Sequence, residues 1–228
     1  MILRTTCILL FMALLAGNMA AQRLPKGFVY LEKYVPNLLV DLRYYSSNNF
    51  VGDTIDGYLA QKCIISKKAA KALRKVQADL HPMGLGIKVF DAYRPQRAVD
   101  HFVRWAEELG DTLMKPVYYP KVDKSQLFEK GYIAAKSGHT RGSTLDLTLI
   151  HLDGPQKGQE LDMGTPWDHF DPAAWPDSDA VSAFQKKNRM LLQRLMVQHG
   201  FKPLQEEWWH FTLVKEPFPD TYFDFEVQ

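Results

Sequence analysis

Between Ser143 and Ile150 the chain alternates without a break. Leu145, Leu147 and Leu149 fall on one side, and Thr144, Asp146 and Thr148 on the other. A period of two belongs to an extended strand with one face in a core. The fold must therefore contain a sheet, and this strand carries a carboxylate on its second face. Gly86-Ile-Lys-Val-Phe90 reads as a second strand, and Glu207–Val214 as the last.

Helical spacing frames these strands. Ala69, Leu73, Val76 and Leu80 recur at intervals of three and four, which predicts a helix over 67–80. Val99, Phe102, Val103, Ala106 and Leu109 predict a second over 95–109, with Pro95 in its first turn and Gly110 at its end. A third covers about 179–199, with Val181, Phe184, Leu191, Leu195 and Met196 inward and Gly200 closing it. Residues 151–177 are rich in Gly, Pro and Asp and show no period. They read as a long loop, and long loops in compact domains are commonly functional. The order of elements predicts an α+β fold: a single domain with a central antiparallel sheet and helices packed on one side.

The 228 residues fit one such domain. A net charge of +2 is too small a basic excess for a nucleic-acid binder, and 46% hydrophobic residues exclude a disordered chain. The start of the chain stands apart. Arg4 is followed by the apolar run Cys7–Ala16 and then by small residues to Ala21. A positive start, a short apolar centre and a small-residue end predict a secretory signal over 1–21. The run falls short of the roughly 20 apolar residues of a membrane span, with an uncleaved anchor as the other reading. On this reading the protein is exported, periplasmic or secreted, with no stable membrane insertion after cleavage. Residues 22–228 then form the functional domain and keep one cysteine, Cys63, so no internal disulfide can brace it. The aromatic, acidic tail 217–227 is expected to pack back on the body, since that many exposed phenylalanines would invite association.

The chemistry concentrates in Ser137-Gly-His139-Thr-Arg-Gly142-Ser-Thr-Leu-Asp146 and in Glu207-Trp-Trp-His210. Two histidines and an aspartate can hold zinc and leave a fourth position for water. A nearby glutamate outside the ligand set could take a proton from that water. Each residue also has an ordinary structural reading: a loop histidine bonding a carbonyl, a carboxylate capping a turn, a polar pair at a strand end. Residues three apart in a strand face opposite sides, so Glu207 and His210 can share a site only if Glu207 lies before the regular strand or at a bulge.

This pattern resembles the zinc D-alanyl-D-alanine dipeptidases, part of a wider group of cell-wall peptidases. Further blocks extend the resemblance: Asp41-Leu-Arg-Tyr44 with Asn49-Phe50-x-Gly52, Asp91-x-Tyr93-Arg94-Pro95, and Met163-Gly164 with Trp167-Asp168-x-Phe170. Together they span about Asp41 to Val214. The resemblance implies that His139, Asp146 and His210 hold one Zn²⁺ and that Glu207 is the general base. It implies that Arg94 stabilises the oxyanion, a structural ion pair with Asp91 being the lesser reading. Asp168 would meet the substrate ammonium, and Ser137 with Tyr44 the carboxylate of a small dipeptide. For Tyr44 a core aromatic is an equal reading. Gly138 and Thr144 stand where family members commonly carry serine and alanine. An exported carboxypeptidase or endopeptidase of wall peptides, or a non-catalytic zinc module, are the alternatives. Retention of Glu207 and Arg94 weighs against the last. Oligomeric state is not legible in the chain.

Overall fold

The computed structural model describes residues 23–228. The expected signal segment therefore lies outside the described residues. Five strands form the main sheet: β2 (Leu39–Val40), β4 (Leu85–Asp91), β5 (Thr144–His151), β7 (His210–Leu213) and β6 (Phe201–Pro203), in that spatial order. Only the β2–β4 pair is parallel; the rest are antiparallel. A separate two-stranded sheet joins β1 (Phe28–Tyr30) to β3 (Ile64–Ser66). The architecture is the α+β single domain that the sequence predicts, with one pair departing from the antiparallel rule.

The register of the three central strands builds the site. Asp91 on β4 pairs with Asp146 on β5, and Asp146 pairs with His210 on β7. Directly opposed residues project to the same face. One row across the sheet thus carries two carboxylates and an imidazole. A register shift between Val89 and Asp91 aligns β4 with this row. Along β5 the leucines of the alternating run are fully buried, as its period requires, and Thr144, Asp146 and Thr148 are buried too. The second face is therefore covered, not washed by solvent.

Helix α1 (Lys67–Leu80) begins at Ser66, whose hydroxyl accepts from the Ala69 amide, and buries Ala69, Ala70, Leu73, Val76 and Leu80. It touches β4 and α4 (Ala183–Gln198), which in turn lies along β6. Helix α2 (Gln96–Glu107) buries Phe102 and Trp105 against Phe50. A short α3 (Lys115–Tyr118) follows in the segment before the site. None of these helices is long and apolar enough to cross a membrane.

Two helix readings need correction. Helix α4 starts at Ala183, not near 179, and Phe184 in its first turn is 65% exposed. Its buried face instead includes Asn188 and Arg189. Helix α2 stops at Glu107, which leaves Leu109 exposed beyond it.

The C-terminal tail packs back as its composition implies. Phe225 stacks on Tyr93 with ring centroids 4.0 Å apart, and Arg97 pairs with Asp224 and Glu226. Val227 is buried beside Tyr58, and the Phe223 amide donates to the Thr140 carbonyl. The tail thereby braces the loop that precedes β5.

Candidate active site

His139 sits in a single 3₁₀ turn, Gly138–Arg141, that delivers it to the start of β5. The Ser137 hydroxyl caps this turn by accepting from the His139 amide at 3.2 Å. Gly142 ends it at φ +75°, and any side chain there would run into the Phe28 ring. Glycine suits both demands.

The His139 ring is held at both ends. Its Nδ1 lies 2.7 Å from the Ala92 carbonyl, which needs the proton on Nδ1 and leaves the Nε2 lone pair free. The carbonyl-bonding and metal-ligand readings are thus compatible, one for each nitrogen. Nε2 faces Asp146 Oδ1 at 3.2 Å and His210 Nδ1 at 3.3 Å, and His210 Nδ1 is 3.1 Å from the same Asp146 oxygen.

One donor atom from each residue lies within 4.8 Å of the others. The fit to a metal can be judged from Asp146. Its Oδ1 is buried and accepts no hydrogen bond of good geometry, yet two imidazole nitrogens point at it. A buried acceptor left in this state is costly. Burial alone would raise the Asp146 carboxyl, but His139 and His210 hold it far below the usual range. Burial works against charge on His210, yet Asp146 and Glu207 push its pKa up to about 10. Two nitrogens and one carboxylate oxygen that crowd in this way suit a divalent cation in tetrahedral coordination.

Glu207 lies before β7, where the sequence argument requires it. A turn in which the His210 amide reaches the Glu207 carbonyl at 3.4 Å swings both side chains to one side. Glu207 Oε2 comes within 3.3 Å of His210 Nδ1 while its side chain stays 26% exposed. A carboxylate at the edge of the cluster, in contact with solvent, can exchange protons.

Arg94 forms the ion pair with Asp91 and also lines the cavity that holds the triad. Nε and Nη2 each lie 2.9 Å from Asp91 Oδ2, and Nη2 is 3.7 Å from Asp146 Oδ2. The guanidinium lies over the rings of Tyr44 and Phe102, at 5.0 and 5.2 Å from their centroids. Asp91 is fully buried and takes the Tyr58 hydroxyl at 2.6 Å. Burial raises its carboxyl, and Arg94 and His139 oppose that rise.

The Tyr44 hydroxyl donates to Asp168 Oδ2 at 2.6 Å. Asp168 adopts φ +57°, unusual for a non-glycine residue, and is 6% exposed. Burial first, then the Asp146 charge, pushes its carboxyl well above the ordinary range. Tyr44 is therefore buried like a core aromatic but spends its polar end on a site carboxylate.

All eight residues singled out in the sequence line one cavity of about 240 Å³. Phe170, part of the Trp167-Asp168-x-Phe170 block, also lines it, as do Phe102, Tyr132 and Leu204, which nothing in the sequence marks as site residues. They are apolar residues whose helix or loop contexts look like any other. The Gly138–Thr144 departure is a matched pair. A Cβ on Gly138 would come 2.8 Å from Thr144 Oγ1, which is bonded at 2.9 Å to Thr212 Oγ1.

A carboxylate set beside a metal-binding triad, with a mostly buried guanidinium in the same cavity, is the arrangement of a metallopeptidase centre. The comparison with known sequences narrows the class: the chain belongs to the D-Ala-D-Ala dipeptidase family, whose model matches residues 25–228. Relatives named D-alanyl-D-alanine dipeptidase occur in Enterococcus faecalis and Streptomyces coelicolor. Each is 40% identical to this chain, over 88% of it and 98% of the relative. A third, from Escherichia coli, is 32% identical over 78% of this chain and 80% of its own length. A solved structure, VanYB in complex with D-Alanine-D-Alanine, aligns at 13% identity and a TM-score of 0.41, over 69% of this chain and 76% of that one. A likeness that loose places no residues.

Proposed function

We propose that this protein hydrolyses D-alanyl-D-alanine to two molecules of D-alanine, with one zinc ion held by His139, Asp146 and His210. The observation that carries the reading is the meeting of base, metal triad and Asp168 in one cavity of about 240 Å³. Ligand pockets commonly run to about 300–1,000 Å³, so this one suits a very small substrate. Zinc in that position supplies a Lewis acid that polarises the peptide carbonyl and acidifies water.

The chain's own residues do the rest. Glu207 removes a proton from the attacking water and returns it to the leaving amine. Arg94 donates to the carbonyl oxygen as negative charge grows there, with its direction fixed by Asp91. Asp168 receives the substrate ammonium, whose positive charge offsets the cost of ionising a buried carboxyl. Tyr44 holds Asp168 in place and so serves the ammonium end of the dipeptide instead of the carboxylate end. Ser137, whose oxygen already accepts from the His139 amide, retains a hydroxyl proton for the substrate carboxylate.

The segment 1–21 supports export to the periplasm or beyond, and action on wall-derived dipeptides outside the cytoplasm. Recycling of wall fragments or use of the dipeptide as food fits that location better than depletion of a cytoplasmic precursor. The test is D-alanine release from D-alanyl-D-alanine, with the L,L dipeptide and a wall tetrapeptide in parallel. Release from the D,D dipeptide alone is expected. Release from the tetrapeptide would reassign the protein as a wall peptidase. No release despite bound zinc would make it a non-catalytic module.

A further inference from the structure

Arg189 is 0% exposed in the middle of α4, and all its hydrogen bonds go to neutral oxygens. Nε donates to the Met163 carbonyl at 2.6 Å. Nη1 donates to the carbonyls of Ala173 and Trp175 at 2.9 and 2.7 Å, and Nη2 reaches Thr165 Oγ1 at 3.4 Å. Asp162 lies near enough to favour its charge but forms no ion pair with it, and a buried cation held only by neutral oxygens is an expensive way to fill space. Burial lowers its pKa to about 10, so it stays charged at neutral pH.

The acceptors have a pattern. They lie on both sides of Asp168, so one guanidinium ties together the two ends of the segment 163–175 that presents it. The same unit reaches the base. Thr165 Oγ1 also accepts from Trp208 Nε1 at 2.9 Å, and the Trp208 amide donates to the Ala174 carbonyl at 3.0 Å. Trp208 is the neighbour of Glu207.

We propose that Arg189 is a positioning residue that sets Asp168 and the Glu207 turn at a fixed separation, and that this separation restricts the site to substrates with a free amino end. The inference rests on the reading of Asp168 as the ammonium partner. It accounts for a buried charge that packing alone does not require.

The test compares R189K and T165V with the parent protein on D-alanyl-D-alanine and on its N-acetyl derivative. R189K keeps the charge but loses the fork, and T165V removes the shared hydroxyl with little change of shape. The expected result is a rise in KM for the free dipeptide of at least tenfold. The preference for free over N-acetylated dipeptide should fall by a similar factor. Amide exchange should show lost protection over 163–175 and 206–210, with α1 unchanged. An unaltered preference, or an equal loss on both substrates, would overturn the proposal in favour of a role in general stability. If the parent protein cleaves neither dipeptide, the proposed function falls and amide exchange decides alone. Coupled loss of protection in the two segments then sustains the positioning role, and unchanged protection overturns it.

Discussion

At the scale of single residues, Glu207 and the metal ligands separate cleanly. Glu207 lies 3.3 Å from His210 Nδ1 and is partly exposed, whereas Asp146 is buried between two imidazoles. E207Q should therefore keep its zinc, read by metal analysis. It should lose about a thousandfold in kcat/KM, within the range general-base removal commonly causes. H139A should lose the metal itself. The Gly138–Thr144 pair makes a different prediction. G138S drives a Cβ against Thr144 Oγ1 and strains the Thr144–Thr212 hydrogen bond. Its cost should be about 1–2 kcal/mol in thermal unfolding. Adding T144A should recover most of it. A double-mutant cycle with no coupling would refute the steric account.

At the scale of elements, the turn from His139 to β5 is the most demanding piece of backbone. G142A meets a positive φ and the Phe28 ring together, and should destabilise the protein by about 2 kcal/mol or more, measured by denaturant unfolding. The elements the sequence discloses are those long enough to show a period. The alternation at 143–150 became β5, and the spacing at 67–80 became α1 with the same bounds. The placing of Glu207 outside the strand follows from strand geometry alone. Strands β1, β2, β3 and β6 have two or three residues each, too few for any period to appear. Arg189 was equally hidden, because a charged residue in a helix reads as surface until the loop that surrounds it is in place. The positive φ of Asp168 likewise belongs to the tertiary structure, since nothing in Trp167-Asp168-His169 demands it.

At the scale of the whole molecule, three strands, a turn and a long loop converge on a cluster of carboxyl groups, and among the described residues no disulfide braces it. Asp91, Asp146, Asp168 and Glu207 gather there, and among the described residues Arg94 is the one arginine or lysine paired with Asp91 and Asp146. A divalent cation should therefore stabilise the fold as well as serve chemistry. Chelation should lower the melting temperature, and zinc should restore it as its concentration rises. The gain should be about 2.7 kcal/mol at a hundred times the dissociation constant. An unshifted melting curve would mean that the triad does not bind metal in the folded state.

The tail that braces the His139 loop also imposes an order in time. His139 leaves the ribosome 71 residues ahead of its partner ligand His210, and the Phe223 amide that steadies Thr140 follows later still. From Asp146 until His210 is made, the nascent chain carries two of the three ligands with nothing to close the site. The brace on the His139 loop can form only after all three ligands have been made, so the last aromatic residues to emerge steady a site whose parts already exist.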